Sequence, residues 1–452
     1  MTGSPEASTH SKNSEKHRVI KSHRHKLANW HVSMISVGGV IGAGLFVGTS
    51  ATIAAAGPAV LLSYLGAGFI VWFVMMTMGE LSAYYNIRGS FISHISKTLG
   101  KRCGFVSGWS YIFLWVVTAG AQAVAGGMIL NDLFNITPLI GSLGLIVLAL
   151  LLNALPVRLY GQSEALLSVL KLLTLALFMG IALYWVWHQT NAKAQITSHL
   201  FDHGGLVPFG IWSVFTVIPM IIQTFTGCEI AFVASPESTD PKDNIKQAVN
   251  RIPFIILIFY VGSILAILCL HPWTDIISGH SPFLLVMRSL SVPFAQTIVI
   301  IMTLMAIISC LNSSKYIVSR VLRELSELGC APAQLNQSTR HNVPITALIL
   351  STSLEIIIIL IASFSPSRGY AILLGASGNL IIFSYFMASL SRSSLSKYIA
   401  RPLMSFLARI SVLFMGGLLV ILPFSSSTRL EGIIALCLIA SLSVASLKLS
   451  RN

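Results

Sequence analysis

Apolar runs of about 20 residues recur along nearly the whole chain, and they constrain its fold more than any other feature. Hydrophobic residues make up 54% of the 452 residues and charged residues only 10%, against about 25% charge in a typical soluble domain. A helix of this length crosses a hydrocarbon core about 30 Å thick. The runs are continuous rather than alternating, which excludes a β-barrel. The sequence therefore predicts an all-α polytopic membrane protein.

The apolar runs also set the domain organisation. We predict a basic cytoplasmic tail at 1–28 and one membrane domain at 29–447, with no separate soluble domain. Irregularly spaced histidines in the tail favour a solvated segment over a metal site, and six scattered cysteines favour packing over disulfides or zinc. We predict twelve transmembrane helices, at about 31–54, 58–84, 105–130, 139–156, 162–187, 208–234, 252–271, 292–314, 343–363, 369–390, 403–423 and 430–447.

The basic residues fall mainly on one side of these spans. With the N-terminus inside, and with Arg409 near the inner end of span eleven counted as inner, 24 of the 29 Lys and Arg residues lie on the inner side and four on the outer side. This asymmetry is the positive-inside signal. It predicts a protein of the cytoplasmic membrane with both termini in the cytoplasm. The net charge of +14 thus faces anionic membrane lipids rather than nucleic acid.

The first span contains a glycine-rich segment, VGGVIGAGLFVGTS at 37–50. Each interior glycine weakens a soluble helix by about 0.5–1 kcal/mol relative to alanine. Glycines four residues apart favour close packing of transmembrane helices. Alternatively, the segment is an unwound break whose backbone N–H groups bind an anionic group, because half-helix N-termini are partially positive. A dinucleotide-binding loop is excluded, since no βαβ unit surrounds the segment.

A second glycine-interrupted segment, QTFTGCEIAFVASPE at 223–237, lies in the sixth span. Five spans separate the two segments, and an odd number of spans reverses the orientation of a second copy. Paired breaks of this kind are typical of inverted repeats with broken helices. We therefore predict two inverted five-helix repeats, at about 31–190 and 208–391, with broken helices one and six. Helices eleven and twelve, at about 403–447, are peripheral additions.

Five ordered motifs resemble the amino acid transporter family of the amino acid–polyamine–organocation superfamily of permeases. They are LANWHVSMISVGGVIGAGLFVGTSATIAAAGP (27–58), MGELSAYYNIRGSF (78–91), NALPVRLYGQSEALLSVLK (153–171), TGCEIAFVASPESTDPKDNIKQAV (226–249) and SCLNSSKYIVSR (309–320). The resemblance implies proton-coupled import of an amino acid by alternating access, without a cofactor or an obligate protein partner. An amino acid or amine exchanger and a non-transporting sensor are the alternatives. No metal-ligand cluster or catalytic motif favours an enzyme.

The resemblance also implies where an amino acid substrate binds. Its carboxylate would meet the backbone of the first break, and the second break would line the other side of the site. Gln122 stands where many relatives have an acidic residue, which weakens the case for a cationic substrate. The predicted substrate-binding residues are Ile41, Gly42, Ala43, Gly44, Gln122, Thr226, Gly227, Cys228 and Glu229.

Lys171 is the most informative ionisable residue, because an ammonium in mid-span costs roughly 2.5–3.5 kcal/mol on insertion scales. Snorkelling to an interface is the alternative, but Lys171 lies deep in span five. The resemblance places it where sodium-coupled relatives hold their cation. We therefore predict that its protonation is linked to transport, with a proton as the coupling ion. The other predicted coupling residues are Glu229, Glu237, Ser309 and Ser313.

Two further carboxylates lack an assigned role in transport. Glu80, at the inner end of helix two, is predicted to be structural, paired with Arg88 or with a residue of the tail. Glu355 lies mid-span in LSTSLEIIII, where a buried partner and an oligomer contact are equally open. Lys315 is counted among the inner-loop bases. The resemblance does not explain it, because relatives usually have a small or apolar residue at this position.

Overall fold

The computed structural model describes residues 29–85, 89–189, 192–235, 240–278, 280–339, 343–399, 401–424 and 429–449. All regular secondary structure within these residues is helical, as predicted. In this described part of the chain, nine helical segments are long and apolar enough to cross a membrane. The all-α membrane fold predicted from the sequence is therefore confirmed.

The helices of the first half begin with the interrupted first span. α1 ends at Val40, and a π-helical turn, Gly44–Gly48, leads into the next helix. The eight helices of this half are α1 (Asn29–Val40), α2 (Thr49–Ala56), α3 (Val60–Tyr85), α4 (Phe91–Leu99), α5 (Lys101–Phe134), α6 (Pro138–Asn153), α7 (Val157–His188) and α8 (Ala192–Phe201).

The helices of the second half begin with the interrupted sixth span, which is divided among three short helices. A further short helix, α13, lies between predicted spans seven and eight. The ten helices of this half are α9 (Trp212–Thr216), α10 (Ile218–Thr224), α11 (Ile230–Ala234), α12 (Pro241–Leu270), α13 (Pro282–Ser289), α14 (Ala295–Glu327), α15 (Ile345–Ala362), α16 (Pro366–Ser394), α17 (Pro402–Ile421) and α18 (Arg429–Ser446).

The nine long segments account for ten of the predicted twelve spans. The first, Val32–Tyr85, contains predicted spans one and two. Predicted span four corresponds to α6, whose 16 residues reach about 24 Å at 1.5 Å per residue. Predicted span six lies in the divided helices α9 to α11. The count of twelve therefore stays a prediction.

Proline and polar caps explain where several helices begin. Pro138, Pro241, Pro282, Pro366 and Pro402 each open a helix, at a position where the missing N–H has no partner to lose. Asp240 additionally caps α12 by accepting a hydrogen bond from the Asp243 N–H at 3.2 Å. These local signals divide the apolar sequence into separate helices.

Helices five spans apart pack against one another. α1 contacts α11, α3 contacts α12, and α5 contacts α14. An approximate two-fold relation between the two halves predicts this pairing. α5 lies in the interior, where it also contacts α6 and α16. The repeat boundaries themselves stay a prediction, but the packing brings the two breaks together at the centre.

One ionisable residue lies where the sequence did not predict it, and another has partners that were not predicted. Lys315 lies inside α14 rather than in an inner loop, and its ammonium pairs with the carboxylate of Glu355 on α15. A buried partner is therefore the correct alternative for Glu355. Glu80 pairs with Arg392 at 2.5 Å and Arg401 at 3.0 Å, and Arg88 lies outside the described residues.

The short helix α4 contains a buried histidine outside the membrane-spanning segments. His94 has no exposed surface, and its ring stacks on that of Tyr85 with centroids 6.1 Å apart. Neither ring nitrogen has a hydrogen-bond partner in the described part of the chain. Burial, with a smaller contribution from Lys97, lowers the pKa of His94 to about 4. The imidazole is therefore neutral at neutral pH.

Candidate functional site

The first break interrupts the helix at Ile41 and Gly42. The Ala43 N–H donates a hydrogen bond to the side-chain oxygen of Gln122 at 3.0 Å, and the Ile41 N–H donates to the Val37 carbonyl at 3.3 Å. The Gly42 N–H has no acceptor within the described residues. Of the backbone groups predicted to bind a carboxylate, Ala43 thus already has an acceptor, whereas Gly42 is available.

The second break runs from Phe225 to Glu229, between α10 and α11. Glu229 is fully buried. Its carboxylate accepts hydrogen bonds from Tyr111 at 3.1 Å, Tyr385 at 3.2 Å and the Gly227 N–H at 3.1 Å. Three neutral donors replace water around this carboxylate, which offsets the cost of burying it. The geometry therefore fits a structural acceptor of these three hydrogen bonds.

Two other residues of the second break differ in their surroundings. The Thr226 hydroxyl is buried and has no hydrogen-bond partner in the described chain. A buried hydroxyl without a partner is costly, so this group is available to a ligand. Cys228 has no exposed surface and packs in the apolar core. The Cys228 side chain is therefore less available to contact a substrate than the Thr226 hydroxyl.

The two breaks touch each other through their backbones. Gly227 has φ +119°, and a Cβ atom at this position would lie 2.7 Å from the Val40 nitrogen. Glycine is required here for both reasons, because other residues rarely adopt this conformation. The breaks predicted from separate segments thus form one site.

Tyr260 on α12 joins the same two breaks. Its hydroxyl lies 3.2 Å from the Val40 carbonyl oxygen and 3.0 Å from the Thr224 carbonyl oxygen. Val40 is the last residue of α1 and Thr224 the last of α10, so both carbonyls lie where their helices end. Tyr260 was not predicted from the sequence, because it belongs to none of the five motifs.

Lys171, on α7, also contacts the first break and is fully buried. Its ammonium donates to the carbonyls of Gly38 at 2.5 Å and Ile41 at 3.0 Å, and to the Ser309 hydroxyl at 2.8 Å. Hydrogen bonds from a charged group contribute about 1.5–3 kcal/mol each. Three of them explain how a cation is tolerated at this depth. Lys171 thus contacts the break directly, as the predicted coupling role requires.

Glu164 is a further member of this network and was not among the residues predicted from the sequence. Its Oε1 atom accepts a hydrogen bond from Ser309, and its Oε2 atom accepts one from Asn312 at 2.8 Å. Glu164 precedes Lys171 by seven residues on α7, which places both on one helix face. That spacing, visible in GQSEALLSVLK, is the signal that could have identified it.

Of the remaining predicted coupling residues, the structure describes Ser313 but not Glu237. Ser313 is fully buried and lies beside Gly39, next to the first break. Glu237 lies outside the described residues. No group of three or more His, Cys, Asp or Glu residues that could hold a metal ion occurs in the part of the chain that the structure describes.

Comparison with known sequences identifies a matching protein family and several relatives. The family described as amino acid permease matches residues 31–445. The chain is 32% identical over 418 residues to the γ-aminobutyric acid permease of Bacillus subtilis, covering 90% of this chain and 89% of that protein. It is 31% identical over 370 residues to the aromatic amino acid transport protein AroP of Escherichia coli, covering 81% and 80%.

Comparison with solved structures concerns the fold alone, because the sequence identities are low. A manganese transporter mutant of Eremococcus coleocola matches with a TM-score of 0.60 at 14% identity, covering 93% of this chain and 94% of the other. A Na⁺-coupled sialic acid symporter matches with a TM-score of 0.56 at 11% identity, covering 89% and 91%. The helical arrangement described above is therefore a transporter fold.

Proposed function

The chain belongs to the amino acid permease family, and from this premise we propose that it imports an amino acid together with a proton. Family membership makes it a multi-pass membrane transporter of amino acids rather than an enzyme. The proton coupling is our proposal. It rests on one observation, the fully buried Lys171 ammonium bonded to the carbonyls of Gly38 and Ile41.

The coupling would operate through the charge on Lys171. A charged ammonium holds two carbonyls of the first break, whereas a neutral amine donates weaker hydrogen bonds to them. Loss of the proton would therefore loosen the break against which the substrate lies. This links the protonation state of Lys171 to the conformation of the binding site, which is what alternating access with a coupled proton requires.

The amino acid substrate would bind between the two breaks. The Gly42 N–H and the Thr226 hydroxyl are the available donors for its carboxylate. The carbonyls of Val40 and Thr224, now bonded to Tyr260, are candidate acceptors for its ammonium. Gln122 supplies no charge for a cationic side chain, so we propose a substrate without a second positive charge. 4-Aminobutyrate and the aromatic amino acids, named by the relatives, are the first candidates.

The charge distribution supports a membrane location and an orientation for the protein. The excess of Lys and Arg on one side supports insertion in the cytoplasmic membrane with both termini inside. A proton entering with the substrate would then contribute about 2.3 kcal/mol per 100 mV of membrane potential. Because 1.4 kcal/mol is a factor of ten, this supports accumulation of up to roughly 50-fold per 100 mV.

Uptake into proteoliposomes tests the proposal. Purified protein is reconstituted without internal amino acid, and radiolabelled 4-aminobutyrate, phenylalanine, tyrosine and tryptophan are offered with an inward proton gradient. We expect accumulation of one of them above equilibrium, abolished by a protonophore. Uptake only after preloading would instead identify an exchanger. Binding without flux under either condition would identify a sensor.

A further inference from the structure

Lys171 and Glu164 are joined through a single hydroxyl group. The Lys171 ammonium donates to Ser309 Oγ at 2.8 Å, and the Ser309 hydroxyl donates its own hydrogen to Glu164 Oε1. All three side chains are fully buried. Ser309 therefore accepts a hydrogen bond from a proton donor and donates one to a potential proton acceptor.

The carboxylate of Glu164 is held in position by polar groups that cannot take its proton. Asn312 donates to Oε2 at 2.8 Å, and Asn153 donates to the Asn312 side-chain oxygen at 2.8 Å. Amides do not titrate in the physiological range. These contacts leave Glu164 Oε1 directed at Ser309. The geometry therefore favours the Ser309 hydroxyl as the group with which the carboxylate exchanges a proton.

We propose that Glu164 is the immediate proton acceptor of Lys171, with Ser309 as the relay between them. As one N–H bond of Lys171 breaks, its proton bonds to Ser309 Oγ, and the original Ser309 hydroxyl proton bonds to Glu164 Oε1. The products are a neutral amine, an intact hydroxyl and a carboxylic acid. This proposal rests on the proton-coupled function proposed above.

The charges of the two groups make this transfer favourable in a buried site. The step converts an ammonium and a carboxylate into two neutral groups, so no net charge is created away from water. The neutral amine then holds the Gly38 and Ile41 carbonyls less strongly, which connects the relay to the first break. The proton then remains on Glu164 Oε1, in the same hydrogen-bonded chain as Ser309 and Lys171.

An aromatic pair lies one helical turn beyond Glu164 and Asn312, on the side predicted to face the cytoplasm. Tyr160 precedes Glu164 by four residues on α7, and Tyr316 follows Asn312 by four on α14. Their rings are stacked with centroids 4.6 Å apart and planes 6° from parallel. The pair packs between Glu164 and the inner end of the two helices. A protonated Glu164 is therefore kept from cytoplasmic water in this conformation.

The test compares two assays in proteoliposomes, using the labelled amino acid from the panel above that the wild-type protein accumulates most. Counterflow measures substrate exchange without net proton movement, and gradient-driven uptake measures coupling. The variants are Glu164→Gln and Ser309→Ala. Ser314→Ala is the matched control, because Ser314 is buried on the same helix but donates only to the Cys310 carbonyl.

We expect Glu164→Gln and Ser309→Ala to show counterflow above protein-free liposomes but no gradient-driven accumulation, with the internal-to-external ratio falling to about one. The Ser314→Ala control accumulates like the wild type. Accumulation by Glu164→Gln or Ser309→Ala equal to that of the wild type would overturn the relay. So would loss of counterflow in both variants, since that indicates a structural role. If uptake by the wild-type protein does not depend on the proton gradient, the proposed proton-coupled function is itself contradicted.

Discussion

The ammonium of Lys315 and the carboxylate of Glu355 form an ion pair of 2.5 Å between α14 and α15, and neither side chain has any exposed surface. Thr352 accepts a further hydrogen bond from Lys315 at 2.8 Å, and Ser351 donates one to Glu355 at 2.8 Å. Two charges buried at this depth depend on each other, because neither can reach water. The pair therefore fixes α14 against α15.

Breaking this pair is expected to cost more than removing it. Lys315→Met leaves an uncompensated buried carboxylate, and such changes destabilise proteins by about 3–5 kcal/mol. The double variant Lys315→Met with Glu355→Leu removes both charges and should recover most of the loss. Thermal unfolding in detergent measures both effects. A single variant as stable as the wild type would contradict the buried pairing.

Substitution of Gly227 is expected to abolish transport and to impair folding. Gly227→Ala would place a Cβ atom 2.7 Å from the Val40 nitrogen at φ +119°, so the two breaks would have to separate. Gly66→Ala is the matched control, because no atom lies within 4 Å of a Cβ atom built there. Uptake and the elution profile in detergent are measured for both. Normal uptake by Gly227→Ala would disprove the contact between the breaks.

Removal of the Lys171 ammonium is expected to uncouple uptake from the proton gradient. Lys171→Met keeps a side chain of similar length but donates no hydrogen bonds to Gly38, Ile41 or Ser309. Gradient-driven accumulation should fall by at least tenfold. Lys193→Met, at an exposed lysine, is the control. Unimpaired, proton-driven uptake by Lys171→Met would show that this residue does not couple the proton.

The buried His94 is expected to make stability depend on pH. Its folded pKa is about 4, against an ordinary value of 6.5, so the unfolded chain binds a proton that the folded chain excludes between these values. Stability due to neutral His94 is present above pH 6.5 and is lost as the pH falls toward 4, by up to about 3 kcal/mol. Melting temperatures from pH 4 to 8 should show this slope. His94→Phe should flatten it, whereas the exposed His280→Phe should not.

The sequence was sufficient to predict the features that depend on local composition. The apolar runs predicted the helical spans, and the glycines at 38–48 and 227 predicted both breaks. Lys171 stood out because a cation in mid-span is unfavourable wherever its partners lie. Each of these inferences used residues close together in the chain, where composition constrains structure directly.

The contacts that complete the site could not be predicted in this way. Tyr260 bonds to Val40, which is 220 residues away, and Tyr385 bonds to Glu229, which is 156 residues away. A tyrosine in an apolar helix gives no sign of its partner. Lys315 was assigned to a loop because the apolar run ends before it, although its neutralising carboxylate lies 40 residues further on. Only tertiary packing reveals such partners.

The backbone contact between Gly227 and Val40 divides the proposed binding region into positions that can be varied and positions that cannot. Mutant libraries designed to change which amino acid is carried should leave Gly39 and Gly227 unaltered, because a Cβ atom at these positions would clash with Ile230 and Val40, respectively. Diversity belongs instead at Ala43 and Gln122, which lie beside the first break without forming that contact. Directed evolution of this permease can thus target its selectivity without disturbing the contact between the two breaks.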